Sequence, residues 1–353
     1  MRISTWTRDL ISSLIGAWII VGIYIDGWAH VNMGDRLETF FTPWHAVFYS
    51  GLAAFFGWLA VVGLMVRRPG DSPQAVFGRL PVGYKAGTIG AAIFAVGGAA
   101  DMFWHELLGI ETSIDALLSP PHIVLLCGFL LMGTTAWRSQ RAVSDTATIP
   151  ELISLASVVA VVGFFLNYLA PFRWAAPNTP FVQYQDEQNV ILWIAGLLAF
   201  TMIFLIPVLW QLRDGRYRIG TLSGLILVTG TLLVYGMSQG WSGSLLMAGV
   251  LGATAGAILV ELLLTQAPWR GWRYGPPIVM GIAAFTVWSG QLVGYHIAGG
   301  VQWPLTLWLG TLLVVAGSGA AVGAVAWRPP TPPPPPLGDV EEAAVAKRLS
   351  AAA

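Results

Sequence analysis

Four of the five histidines in this 353-residue chain belong to a pattern that occurs twice. In each copy an aspartate stands four residues before a histidine, and a second histidine follows farther along, two residues after a proline. The residues are Asp26, His30 and His45 in the first copy, and Asp101, His105 and His122 in the second. Two imidazoles and one carboxylate suit a transition metal ion and leave coordination positions open. The pattern therefore predicts two metal sites.

The residues around these ligands match as well. Counted from the histidines, the two copies share two glycines, a proline and an acidic residue at the same offsets. The pairs are Gly34 and Gly109, Pro43 and Pro120, Glu38 and Asp115, and Gly51 and Gly128. Self-similarity of this kind indicates an internal repeat. We interpret residues 1–140 as a duplicated pair of ligand-bearing helical hairpins.

The spacing of the ligands indicates the elements that must hold them. Side chains four residues apart lie on one face of a helix, so each aspartate and its first histidine point the same way. Proline favours the first turn of a helix, which places His45 and His122 at the start of a returning helix. Neighbouring helices pack about 8 to 10 Å apart, close enough for three such side chains to converge. Each site is therefore expected at one end of a hairpin.

Composition indicates the setting of these hairpins. The chain is 56% hydrophobic and 10% charged, with a mean hydropathy of +0.68, which is typical of an integral membrane protein. We predict an all-α, polytopic fold in which about ten helices, arranged as five hairpins, cross a lipid bilayer. The predicted spans are 9–29, 44–66, 86–108, 120–137, 150–172, 188–211, 218–237, 242–265, 275–296 and 303–327.

The placement of lysine and arginine predicts the orientation. With the N terminus inside, 16 of the 18 basic residues fall in inner segments, and only Arg36 and Arg173 lie outside. Positively charged loops stay in the cytoplasm. We therefore expect both termini in the cytoplasm, a multi-pass location in the inner or plasma membrane of the cell, and metal sites that face its extracytoplasmic side.

The rest of the chain carries fewer signals. Residues 141–328 are predicted to form six further membrane helices, and residues 329–353 a proline-rich cytoplasmic tail. A formal net charge of zero gives no indication of nucleic acid binding. The single cysteine, Cys127, argues against a thiolate metal cluster.

The ligand set narrows the choice of ion. Two imidazoles with one carboxylate suit copper, iron or zinc, and disfavour magnesium and calcium, which prefer oxygen ligands. Haem would not require the aspartate one turn before the histidine. Nearby acids are expected to orient the imidazoles, and the candidates are Glu38, Glu106, Glu111 and Asp115. The pattern singles out no catalytic residue beyond the ligands.

A short segment of the chain resembles a known family. Residues 38–49, which read Glu-Thr-Phe-Phe-Thr-Pro-Trp-His-Ala-Val-Phe-Tyr, are similar to part of the C subunit of the copper membrane monooxygenases, the particulate methane and ammonia monooxygenases. The resemblance implies that Asp26, His30 and His45 bind copper near the periplasmic face, and that the second copy is a looser version of the same site. It also implies partner membrane subunits and an electron donor.

Three functions fit these expectations. We favour a monooxygenase-like oxidoreductase that acts on a small apolar substrate. The alternatives are a protein that handles or transports copper or another metal, and an intramembrane zinc hydrolase with Glu106 or Glu111 as its general base. The loops between the ligand histidines differ in length, which favours two unequal mononuclear sites over one dinuclear centre.

Overall fold

The regular structure of the chain is helical. The computed structural model describes residues 3–33, 42–109, 114–182, 185–266, 268–272 and 274–327. Within these ranges there is no β-strand, so the predicted all-α class is confirmed. The α-helices are α1 (Thr5–Met33), α2 (Pro43–Val66), α3 (Pro73–Arg79), α4 (Tyr84–Leu108), α5 (Ile114–Leu118), α6 (Pro120–Gly133), α7 (Thr135–Arg141), α8 (Ile149–Phe165), α9 (Glu187–Arg213), α10 (Thr221–Met237), α11 (Gly243–Leu264), α12 (Gly275–Gly299) and α13 (Leu305–Ala326).

Most of the long helices are suited to cross a membrane. Over the described residues, eight helical stretches are long and apolar enough to do so, with α6 and α7 forming one of them over Pro120–Arg141. Helices α8 and α10 are apolar but have only 17 residues each. At about 1.5 Å per residue they are about 25 Å long, somewhat less than a hydrocarbon core of about 30 Å. The chain is a multi-pass helical membrane protein, and the count of ten spans stays a prediction.

The fifth predicted span, 150–172, is shorter in the structure. Helix α8 ends at Phe165, and a 3-10 turn follows over Asn167–Leu169. The Asn167 amide donates a hydrogen bond to the Phe164 carbonyl oxygen at 2.7 Å. Asparagine side chains compete with helical hydrogen bonds in this way, which accounts for the earlier end of the helix.

A buried carboxylate fixes the end of α1 that is remote from the ligands. Asp9 is fully buried. Its Oδ1 accepts hydrogen bonds from the Tyr84 hydroxyl at 2.9 Å and from the Arg8 guanidinium at 3.0 Å. Its Oδ2 accepts one from the Gln140 amide at 2.6 Å. A buried charge needs such partners, and here they join α1 to α4 and α7.

A glycine brings α1 and α2 into close contact near the first group of ligands. A Cβ atom added at Gly22 would lie 2.6 Å from the backbone nitrogen of Phe48, closer than non-bonded heavy atoms pack. Gly22 lies one turn before Asp26, and Phe48 lies three residues after His45. The contact therefore sets the separation of the two helices that carry the first three ligands.

Corresponding glycines make corresponding contacts in both hairpins. Each contact places the Cα of a glycine against the backbone of the facing helix, where an added Cβ would crowd a nitrogen atom. Besides the contact of Gly22, these are Gly51 on Ile19 at 3.3 Å, Gly97 on Leu125 at 3.1 Å and Gly128 on Phe94 at 2.6 Å. Counted from the aspartates and the second histidines, the residues of α4 and α6 stand at the same offsets as those of α1 and α2. The pair α4 and α6 therefore packs as the pair α1 and α2 does.

Enlarging Gly22 should disturb this packing. We expect Gly22→Ala to destabilise the protein by about 1 to 3 kcal/mol, because overpacking forces backbone shifts. Gly16→Ala is the matched control, since it lies in the same helix and an added Cβ there meets no atom within 4 Å. Thermal unfolding in detergent measures the difference. Equal unfolding temperatures for the two variants would contradict the expectation.

Candidate metal centre

The first three candidate ligands converge at one end of the first hairpin. Asp26 and His30 lie on α1, and His45 lies in the first turn of α2. His30 Nε2 is 3.7 Å from Asp26 Oδ2, and His45 Nδ1 is 3.6 Å from Asp26 Oδ1. One ligand atom from each residue lies within 4.8 Å of the other two. Three ligand atoms at these separations can bind one ion after small side-chain rotations.

The second three candidates form the same arrangement between α4 and α6. His105 Nε2 is 3.5 Å from Asp101 Oδ1, and His122 Nδ1 is 3.4 Å from the same oxygen. Their ligand atoms also lie within 4.8 Å of one another. The ring centroids of the two histidines are 6.0 Å apart, the same distance as between His30 and His45. We call the two groups the first triad and the second triad.

Polar atoms of the first triad are buried without a hydrogen bond among the described residues. These atoms are Asp26 Oδ1 and His30 Nδ1. A buried carboxylate oxygen without a donor is costly, and native structures rarely leave one so. The His45 imidazole nitrogen Nδ1 lies 3.6 Å from Asp26 Oδ1, beyond hydrogen-bond distance. A bound cation would compensate this oxygen, so the donor set fits a metal.

Backbone and hydroxyl groups orient the imidazoles. His105 Nδ1 lies 3.3 Å from the carbonyl oxygen of Gly109, at the end of α4. A carbonyl oxygen only accepts hydrogen bonds, so in the neutral form that a metal requires Nδ1 would carry the proton. The other nitrogen, Nε2, then keeps its lone pair, and it is the atom that faces Asp101. His105 is thus prepared to bind a metal through Nε2.

The second histidine of each triad is held by the residue that caps its helix. Thr42 is the N-cap of α2; its hydroxyl accepts a hydrogen bond from the His45 backbone nitrogen at 3.1 Å and lies 3.0 Å from His45 Nδ1. Ser119 is the N-cap of α6, and its hydroxyl lies 2.6 Å from His122 Nδ1. Both hydroxyls restrict the orientation of the ring. A serine or threonine directly before a proline is an N-cap signal in the sequence, and it could have identified these two residues.

Of the four acids proposed to orient the imidazoles, the structure describes Glu106 and Asp115. Glu106 and Asp115 are exposed, and Asp115 Oδ1 accepts a hydrogen bond from the backbone nitrogen of Ala116 at 3.1 Å. Glu38 and Glu111 lie outside the described residues. The ligand imidazoles contact hydroxyls, a carbonyl oxygen and the triad aspartates.

Both triads line a common cavity. It has a volume of about 60 Å³ and is lined by residues of α1, α2, α4, α6 and α8. Its polar lining consists of Asp26 and His45 of the first triad and Asp101 and His122 of the second. The other lining residues are apolar: Ile23, Phe48, Phe94, Leu125, Leu126, Phe129, Val161, Phe164 and Phe165. At about 30 Å³ per water in the liquid, the cavity has the volume of about two water molecules.

A second cavity also joins the triads. It has a volume of about 70 Å³ and is lined by Asp26, His30, His105 and His122, together with residues of α5, α8 and α10 and of the turn after α8. That turn contributes Asn167 and Tyr168. The Asn167 side chain accepts a hydrogen bond from Arg173 at 2.6 Å, and the same guanidinium lies 4.6 Å from the centre of the Tyr168 ring. The turn after α8, which lies outside the two ligand-bearing hairpins, therefore supplies a wall of the candidate metal centre.

No protein-family model, curated protein or solved structure matches this chain. The local resemblance to the C subunit of the copper membrane monooxygenases stays a prediction. Of the segment that carries it, residues 42–49 are described, and they form the N-cap and the first turns of α2 with His45 among them.

Proposed function

We propose that this chain is a membrane metalloprotein that holds two neighbouring redox metal ions, copper or iron, and oxidises a small apolar substrate with dioxygen. The observation that carries the proposal is the placement of two triads, each with two histidines and one aspartate, on one cavity with otherwise apolar walls. Ionisable groups within membrane helices are costly and are usually retained for function.

The ligands favour a redox metal with open positions. Two imidazoles and one carboxylate leave coordination sites for small molecules, and such sites suit iron and copper. The chemistry that such an ion supplies when bound is the activation of dioxygen. The resemblance in residues 38–49 favours copper of the two. The aspartates would neutralise part of the charge of the ion, and the imidazoles would hold it in place, with His105 oriented by the Gly109 carbonyl oxygen.

The cavity indicates the class of substrate. Five phenylalanines line it, and its volume of about 60 Å³ admits only a molecule of a few heavy atoms. In a monooxygenation, one oxygen atom of dioxygen enters a C–H bond to give an alcohol, and the other leaves as water with two protons and two electrons. We propose that the electrons come from a donor protein or carrier that acts with the chain. Apolar walls bind an apolar molecule and keep water away from the reacting atoms.

We further propose that the two hairpins are copies of one ancestral unit. The ligands, the capping hydroxyls and the glycine contacts recur at the same offsets. In the proposed orientation the triads lie near the extracytoplasmic face, because the loops at the other end of the helices carry most of the lysine and arginine.

Reporter fusions test this orientation. We expect fusions after Arg67 and after Arg138 to report a cytoplasmic location, and fusions after Gly34 and after Glu111 an external one. The asymmetry of basic residues is the physical reason. A cytoplasmic enzyme reporter and a periplasmic enzyme reporter at each position give opposite signals and serve as mutual controls. An external signal from the loop after Arg67 would show that the topology is wrong.

Metal content tests the proposed function. The full chain, purified in detergent, is expected to bind about two copper or iron ions, one for each triad. Their absorption or paramagnetic resonance signal should change when dithionite is added and return when air is admitted. Element-specific mass spectrometry measures the content. A protein that binds zinc alone, or that binds no transition metal when these ions are supplied, would contradict the proposal.

A further inference from the structure

The side of the metal centre between α2 and α4 is open to the outside of the helix bundle. A groove of about 780 Å³ runs between these two helices and reaches the first triad. The residues that define it are His45, Tyr49 and Leu52 of α2 and Ala95, Gly98 and Ala99 of α4. Both helices are apolar enough to cross a membrane, so we expect the hydrocarbon of the bilayer beside the groove.

His45 lies between this groove and the common cavity. It lines both of them. The Tyr49 ring is stacked against the His45 ring, with centroids 6.2 Å apart and an angle of 25° between their planes. Tyr49 also contacts Phe48 at 4.2 Å between centroids, and Phe48 lines the common cavity. His45, with the Tyr49 ring stacked against it, therefore separates the groove from the cavity.

The groove exists because α4 carries small residues where α1 carries large ones. Offset by the 75 residues that separate Asp26 from Asp101, three positions of α4 correspond to three of α1. These pairs are Ala95 and Ile20, Gly98 and Ile23, and Ala99 and Tyr24. On the other side of the centre, the corresponding face of α1 is buried, because Ile20 and Tyr24 are each only 2% exposed. It is also covered by α8, to which the Tyr24 hydroxyl donates a hydrogen bond at the Ala160 carbonyl oxygen, 2.9 Å away.

Gly98 provides the space that the Tyr49 ring occupies. A Cβ atom added at Gly98 would lie 3.0 Å from the Tyr49 hydroxyl oxygen and 3.2 Å from Cε1. At these distances the ring would have to move. The pair of Gly98 and Tyr49 therefore determines how far the groove extends toward His45.

From this asymmetry we infer that small apolar molecules reach the first triad directly from the bilayer, through the groove between α2 and α4 and past Tyr49. The inference rests on the proposed function, because it takes the triads to bind metal. Tyr49 and Gly98 are the residues that select the molecules by size. Apolar gases and short hydrocarbons concentrate in a bilayer, so a lateral path gives a site near the membrane surface access to them without passage through water.

Filling the groove tests the path. The full chain is loaded with copper in lipid nanodiscs, and nitric oxide, an apolar gas that binds copper, is the probe. We expect Ala95→Phe and Ala99→Phe to lower the association rate of nitric oxide about tenfold, which corresponds to a barrier raised by about 1.4 kcal/mol. Ala100→Phe is the matched control, because Ala100 is exposed on the same helix and does not line the groove. Its rate should equal that of the wild type.

A variant that should change the association rate in the opposite direction controls for misfolding. Tyr49→Ala should raise the association rate severalfold, since it removes the ring that is stacked against His45 in the groove. Association rates that are equal in all of these variants, at unchanged copper content, would overturn the lateral path and leave the proposed function standing. A wild-type protein that binds neither copper nor iron would overturn both.

Discussion

A chain in which Asp26, His30, Asp101 and His105 are all replaced by alanine is expected to lose its bound metal. Each triad then keeps one imidazole of its three ligands. Mutation of a residue that merely hydrogen-bonds to a metal ligand lowers metal affinity by about 10- to 100-fold. Removal of two of the three ligands from each site should therefore lower the metal affinity by more than about 100-fold. Element-specific mass spectrometry on the purified protein measures the loss.

Two controls make this result specific. His296→Ala removes the fifth histidine, which is exposed on α12 and outside both triads. Glu106→Ala removes an exposed acid one residue after His105. Both variants should keep the metal content of the wild type. If the fourfold variant folds, as judged by circular dichroism and gel filtration, and still retains full metal content, the triads are not the metal sites.

The second large effect concerns the pairing of the triads. His122 is a candidate ligand of the second triad and also lines both cavities that join it to the first. We expect His122→Ala to remove about one ion per chain, because each triad holds a full ligand set of its own. We also expect it to change the spectrum of the ion that remains, since the two triads share their cavities.

The spectrum of the remaining ion separates three arrangements. A changed signal from one retained ion supports neighbouring sites on a common cavity. An unchanged signal would contradict this pairing and favour the two independent, unequal sites that the different loop lengths predict. The loss of both ions together would show that neither triad binds metal alone. His30→Ala, which breaks the first triad, is the reciprocal variant and should give the mirror result.

The triads could be predicted from the sequence because their signals are local. Asp26 and His30 stand one helical turn apart, so a helix of any orientation places them on one face. His45 follows a proline and a capping threonine, which determine where α2 begins. Only the convergence of His45 on the other two requires tertiary contact, and the short hairpin makes that contact almost unavoidable.

The surroundings of the triads could not be predicted in the same way. Phe164 and Phe165 come from α8, more than 100 residues after Asp26, and nothing local in their sequence indicates that they close the cavity. Whether Ala99 faces a neighbouring helix or the bilayer depends on which side of the two ligand-bearing hairpins α8 covers. Asn167 ends α8 earlier than hydropathy alone predicts, because a single amide competes for helical carbonyls.

The most direct test of the account is anomalous X-ray scattering from crystals of the metal-loaded chain, recorded at the copper, iron and zinc absorption edges. The account predicts about two peaks per chain at the copper or the iron edge. One should lie among Asp26, His30 and His45, and the other among Asp101, His105 and His122. Peaks at other positions, peaks at the zinc edge alone, or no peak in either triad would contradict it.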